Sequence, residues 1–390
     1  MGNYSLKKGS LTFLFVVSFA CQMMMGAVTV TVPIYAESLK ASMLLVGLIG
    51  SAGGLVYSFL PFVAGTLCDR MRRRVFVFAA LALYGCSCLL YYFTEEASML
   101  VFVRILEWSS VAIFWPAVEA LLADSSELGL EETLRRFNLS WGSAMVIGPV
   151  VGGSLITVWS IKAPFIFSLF LSTIFGALSL IILKETEKKP ELKIHVEVKP
   201  KNTENKKYPL VSGIASIFLF SSVEGIALTL FPAYASELEI SALNIGWIVF
   251  AFGVARVVTF SQSNRLESKI GKTGLFLLGS LFLGVASLLT ALSNTFPLYV
   301  LCFTLIGVGG GLAYAASIAL VLGRWETSRG RAAGIFESLI GFGYFAGPLI
   351  GGIVSEFSIT APYLFGFFLS LAVIFVQILF RKPSSSDGKL

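Results

Sequence analysis

Long uncharged blocks dominate the pattern of polar and apolar positions. Residues 9–36, 41–68, 75–94, 137–161, 163–183 and 357–380 contain no Asp, Glu, Lys or Arg. Each is longer than the roughly 18 apolar residues that suffice for a membrane-crossing helix. Residues 273–323 are also uncharged and long enough for two spans, with a turn at 293–297. Four further spans, 97–122, 209–235, 240–264 and 332–355, tolerate isolated charges. The pattern predicts twelve transmembrane helices and an all-α membrane protein. The first block is too long for a signal-peptide core and lacks a small-residue cleavage site, so it reads as a retained helix.

Composition agrees. The chain of 390 residues is 56% hydrophobic and 13% charged, with mean hydropathy +0.83, whereas soluble domains carry about 25% charge. The net charge of +6 invites a nucleic-acid reading that its placement excludes. All but four of the 29 Lys and Arg fall in segments on the side of the N-terminus; the exceptions are Lys40, Lys162, Arg104 and Arg256. Basic residues gather in cytoplasmic loops, so both termini are expected in the cytoplasm and the chain in a cell membrane. The five cysteines lie in or beside spans, which suggests no disulfide framework. Metal ligands do not cluster, and no cofactor is expected.

The chain also repeats itself. At an offset of 199 residues, PIYAESL (33–39) falls on PAYASEL (232–238), Gly26 on Gly225, Gly47 on Gly246 and GPVVGG (148–153) on GPLIGG (347–352). Six spans per copy keep the same orientation, so the halves are parallel repeats, an arrangement associated with secondary transporters. The expected units are two six-helix bundles, 1–183 and 209–390, joined by a cytoplasmic linker, 184–208, too polar to pack.

These features resemble the major facilitator superfamily over nearly the whole chain. GTLCDRMRRR (65–74) is similar to the family's loop signature between helices 2 and 3, matched by Gly65, Asp69, Arg70, Arg73 and Arg74, with Arg72 where Gly is usual. RILEW (104–108) looks like its helix-4 arginine motif, with Glu107 and Trp108 departing from the usual residues. Gly148, Pro149, Gly152 and Gly153 resemble the helix-5 motif of antiporters. Gly347, Pro348, Gly351 and Gly352 repeat it in helix 11, where the long form is complete. Small residues let helix backbones approach closely and proline permits a bend, so both clusters suit surfaces on which one half rocks against the other. Plain packing is the alternative.

Ionisable groups in hydrocarbon usually face a cavity or a partner. Arg104, Glu107, Trp108, Trp115 and Glu119 share one face of helix 4, and Glu224, Arg256 and Glu337 sit on helices 7, 8 and 11. In the family's fold, helices 1, 4, 7 and 10 line a central cavity. The resemblance therefore implies a substrate and coupling chamber containing Gln22, Met25, Arg104, Glu107, Trp108, Trp115, Glu119, Glu224 and Arg256. It also implies a gate using Asp69, Arg70, Arg73, Arg74 and Glu337. The single histidine, His195, is in the linker, so a proton carrier within the membrane must be a carboxylate. Glu224 is the expected one. Glu107, three residues from Arg104, is within pairing reach and reads as part of a substrate or coupling pair. Two plainer alternatives stand beside these: Arg104 and Glu107 only neutralise each other, or Glu224 simply bridges to Arg256.

Together these point to a transporter rather than an enzyme: a monomer exporting small hydrophobic or amphipathic compounds in exchange for protons. Uptake or exchange of a sugar or organic anion is the alternative.

Overall fold

The computed structural model describes residues 3–6, 9–68, 71–123, 130–183, 185–188, 210–324 and 329–380, with backbone alone at 3–6, 123, 130–131, 185–188, 210, 264, 318–324 and 329–334. Its membrane spans are α1 (Ser10–Ser38), α2 (Met43–Cys68), α3 (Arg73–Phe93), α4 (Ala97–Leu122), α5 (Glu132–Val158), α6 (Ala163–Ile182), α7 (Val211–Glu237), α8 (Ala242–Ser263), α9 (Arg265–Leu292), α10 (Phe296–Ser317), α11 (Ile335–Val354) and α12 (Ala361–Leu379). All twelve helices expected from hydropathy are present. In hydrocarbon a helix satisfies its own backbone polar groups, which is why long apolar runs take this form.

Two regions differ from the sequence reading. Helical turns continue from Ala242 to Leu292 through the expected loop, broken at Gly271 (φ 69°, ψ 172°). That conformation is essentially restricted to glycine, so the break falls at Gly271, in the first turns of α9, and the chain bends there with almost no loop. The charged residues between them lie on helical turns, with Lys272 Nζ 3.7 Å from Glu267 Oε1. The second difference is at the start of the expected linker. There β2 (Glu185–Lys188) pairs antiparallel with β1 (Asn3–Leu6), Asn3 opposite Lys188. Such a ribbon rests on main-chain hydrogen bonds and needs no apolar side chains. The rest of the linker, residues 184 and 189–208, lies outside the described residues.

Within the first half α5 packs on α1, and α3 on α4 and α6; in the second, α11 packs on α7 and α12 on α9. The halves meet along α2 with α11, α5 with α8, and α1 with α7. The two Gly-Pro clusters form these seams, and each works in two directions. A Cβ on Gly148 would stand 2.8 Å from Met23 O, and one on Gly152 2.6 Å from Ala27 O, both on α1; one on Gly153 would stand 2.3 Å from Ala242 O on α8. In the second half Gly347 meets Ser222 O on α7 at 2.4 Å, and Gly352 meets Gly47 Cα on α2 at 3.1 Å. Each cluster therefore holds its own half's first helix with one face and the other half with the next. Pro149 and Pro348 sit inside the helices at these contacts.

Gly347 approaches backbone, whereas the nearest neighbour of Gly351 is the tip of Leu230, at 2.7 Å. Backbone cannot yield as a side-chain end can. Gly347→Ala is expected to cost about 1–3 kcal/mol and Gly351→Ala less than about 1 kcal/mol. Thermal unfolding of the two purified variants checks this; equal loss would contradict the seam geometry.

Candidate functional site

Among the described residues two ion pairs are buried, one in each half. On α4, Arg104 Nη1 lies 2.7 Å from Glu107 Oε2, and Tyr91 of α3 donates its hydroxyl to the same oxygen at 2.8 Å. Their side chains are 5% and 3% exposed. In the second half, Arg256 Nη1 of α8 lies 2.7 Å from Glu224 Oε2 of α7. Tyr344 of α11 donates to that oxygen at 3.0 Å. Here the acid is fully buried but Arg256 is 18% exposed, and its guanidinium also lies 5.4 Å from the ring centre of Tyr314 on α10.

Aromatic rings join the pairs across the midline. Arg104 lies 5.4 Å from the centre of the Trp108 indole, which meets Tyr57 of α2 edge-on at 5.5 Å and Tyr344 at 6.3 Å. Trp108 is admitted because Gly53 of α2 has no side chain: a Cβ there would be 2.6 Å from the indole. Tyr57 in turn donates across the halves to Glu337 Oε2 at 3.3 Å. Glu119 is exposed and lies within electrostatic reach of Glu337 on the other half. That combination describes a group on the wall of an open chamber. Arg104 Nε, Trp108 Nε1 and Glu224 Oε1 have no hydrogen-bond partner among the described residues.

The glycine-mediated contacts between halves run from Gly153 with Ala242 and Gly352 with Gly47 to Gly253 with Val146 and Gly341 with Ser58. They cover the helices from the end farthest from the N-terminus to their middle. Glu119 and Glu337 lie beyond them, toward the end bearing the N-terminus, where no glycine-mediated contact between the halves occurs among the described residues.

Other expected residues have different settings. Trp115 packs within the first half, against Phe114, Phe137 and Trp141, and not against the bridge. Gln22 and Met25 are half-buried on α1, Met25 against the core. Arg73 donates to Ala120 O at 2.8 Å, tying the start of α3 to the end of α4. Arg74 is half-buried on the same turn. Asp69 and Arg70 lie outside the described residues. Tyr57, Tyr91, Tyr314 and Tyr344 were not expected at the site; isolated tyrosines in apolar runs give no sequence signal of their own. An apolar groove of about 640 Å³ lies elsewhere, between α8 and α10, lined by Trp247, Phe250, Val254 and Phe296 among others. Its only polar side chains are those of Thr259 and Thr304, with no charged group to orient a solute, so the region between the halves is the better candidate.

A two-repeat bundle with a chamber of buried ion pairs at the repeat interface defines the class of secondary membrane transporters. The sequence profile of the Major Facilitator Superfamily matches residues 14–234 and again 213–390, and the chain belongs to that family; it is a multi-pass membrane transporter, not an enzyme. It is 25% identical over 390 residues to Multidrug resistance protein 1 of Bacillus subtilis (strain 168), covering 97% of this chain and 98% of the relative. It is 24% identical over 173 residues to Quinolone resistance protein NorA of Staphylococcus aureus (strain MRSA252), covering 44% and 45%. Among solved structures, nucleoside transporter NupG superposes with a TM-score of 0.74 at 14% identity, covering 96% of this chain and 100% of that one.

Removing one partner of a buried ion pair strands the other charge, at about 3–5 kcal/mol. Glu107→Gln is therefore expected to lower stability sharply, and Arg104→Met with Glu107→Leu to restore it. Transport by the double variant separates the two readings of the pair. Restored stability with lost transport marks a substrate or coupling role, and restoration of both marks mere neutralisation.

Proposed function

We propose that the protein is a proton-coupled exporter of small hydrophobic or amphipathic compounds, working by alternating access. The observation that carries this reading is the unequal setting of the two ion pairs. Arg104 and Glu107 are sealed on all sides. Arg256 reaches the chamber and has a second station on Tyr314, so Glu224 can release it without leaving an orphaned buried cation. Cation–π contact of this kind is worth about 0.5–2 kcal/mol. A proton on Glu224 and the Arg256 guanidinium then compete for one carboxylate, which is what coupling requires.

The chamber wall suits the proposed cargo. Tyr57, Trp108, Tyr314 and Tyr344 offer broad ring faces with few fixed hydrogen bonds, a surface that accepts varied apolar shapes. The nearly full-length relation to a multidrug resistance protein supports the same reading. In this reading, by the positive-inside rule, both termini and the end of the bundle bearing Glu119 and Glu337 face the cytoplasm, where an exporter loads. One charge crossing 100 mV supplies about 2.3 kcal/mol, enough for a gradient of roughly fiftyfold. The second reading, uptake or exchange of a polar metabolite, draws on the partly exposed Arg256 guanidinium, which would suit an anionic solute.

In proteoliposomes with an imposed pH gradient, the wild type is expected to move ethidium against its gradient. Glu224→Gln should lose gradient-driven movement by at least about tenfold while keeping passive ethidium exchange. Undiminished driven transport in Glu224→Gln would reject the assignment. Accumulation of labelled sugars or organic anions, with no movement of ethidium, would favour the second reading.

A further inference from the structure

Glu224 engages its donors with one oxygen only. Arg256 Nη1 and the Tyr344 hydroxyl both meet Oε2, while Oε1 has no hydrogen-bond partner among the described residues in a side chain that is fully buried. What Oε1 faces is Gly310 of α10. A Cβ on Gly310 would stand 2.3 Å from Oε1, and the next atoms it would meet are also Glu224's, Cδ at 3.4 Å and Cγ at 3.9 Å.

The neighbouring glycines have a different explanation. Gly307 lies against Phe252 O of α8 at 2.3 Å, Gly309 against Gly279 O of α9 at 2.8 Å and Gly311 against Arg256 O at 3.0 Å. Those three let helix backbones touch. Gly310 touches no backbone of another helix; its missing side chain is the space beside a carboxylate oxygen. Glycine is a poor helix former, so a fourth glycine in this run needs a reason of its own. The charged and titratable groups facing Glu224 are Arg256 from α8, Tyr344 from α11 and Tyr314 from α10.

We propose that Gly310 is a positioning residue of the coupling site: it keeps open the space in which Glu224 Oε1 takes up and releases its proton, and so lets protonation loosen the hold that Oε2 has on Arg256 and Tyr344 in the ionised carboxylate. This rests on the reading of Glu224 as the coupling carboxylate. A methyl at 310 pushes the carboxylate off its two donors and fills the space beside Oε1 with carbon, and both effects alter protonation.

The test needs no substrate. The infrared carboxyl stretch of purified protein is titrated with pH, and the Glu224 band is assigned by its loss in Glu224→Gln. Gly310→Ala is expected to displace the midpoint of that band by about one pH unit or more. In the Glu224→Asp background, where the side chain is one methylene shorter, the same substitution should move the midpoint by less than about 0.3 unit, a non-additivity that general loosening would not produce. Gly310→Ala protein that fails to accumulate, while Gly310→Ala with Glu224→Asp accumulates, supports the same geometry. An unmoved Glu224 band, equal displacement in both backgrounds, or failure of both variants to accumulate overturns the proposal and leaves the coupling role of Glu224 standing. If no Glu224 band titrates at all, both fall.

Discussion

Backbone-to-backbone approach at the four inter-half and intra-half seams is the constraint on which the rest of the structure depends. Lipid chains are as apolar as leucine, so helices in a bilayer gain little from hiding apolar side chains and associate mainly through close packing. Glycine makes that closeness possible, and here it is placed with direction. Within Gly-Pro-x-x-Gly-Gly, the first and second glycines of each cluster face the first helix of their own half, and the last faces the other half. The spacing of one and four residues separates the two faces around the helix. Partner glycines complete the arrangement: Gly26 meets Gly148, Gly47 meets Gly352, Gly225 meets Pro348, and Gly246 meets Pro149. Every one of these has its counterpart 199 residues away, so the duplication preserved the contacts and not merely the helices.

Seams of this kind leave room for chemistry in the middle. Where backbones touch, no cavity exists; where the seams end, at Ser58 with Gly341 and Gly253 with Val146, the helices leave a chamber that larger side chains line. Trp108, Tyr57 and Tyr344 stand at that boundary. They belong partly to the packed region, since Gly53 and Gly54 accommodate Trp108 and the backbone of Tyr344, and partly to the open one, since all three rings are only half-buried. A tilt of one half against the other must disturb the contact between Trp108 and Tyr344 before it disturbs either ion pair. Each pair keeps its partners within one half.

Much of this was legible in the sequence, and the boundary of legibility is physical. Hydropathy reports transfer of a whole segment into lipid, so it located all twelve spans and set off the isolated charges within them, while residue matches at one offset gave the repeat. It is blind to pairings between distant helices. Arg104 with Glu107 is readable because both lie on one turn; Glu224 with Arg256 could only be an alternative, since 32 residues separate them. The tyrosines that finish both sites were missed because an aromatic ring in an apolar run is the expected lipid-facing residue. Helical structure through the expected loop before Gly271 was missed for the opposite reason. Charge ends a membrane span but does not end a helix, and only the glycine marks the break. Trp115 shares a helical face with Glu119, yet its ring turns to Phe137 and Trp141, because face assignments on a wheel fix the backbone direction and leave the rotamer free.

The repeat also explains why the two halves are chemically unequal. At the 199-residue offset Glu224 corresponds to Met25 and Arg256 to Tyr57, while Arg104 and Glu107 correspond to Phe303 and Ile306. Each half therefore carries an ion pair where the other is apolar or aromatic, and on different helices: α4 in the first, α7 with α8 in the second. Tyr57 in the Arg256 position still donates a hydrogen bond, but to Glu337 of the opposite half. A strictly symmetric duplication would set like charges against each other across the axis. Divergence placed cation and carboxylate together inside each half and left the rings of Trp108 and Tyr344 between the two pairs, so that the halves can separate there without pulling opposite charges apart in a medium where that separation is most costly.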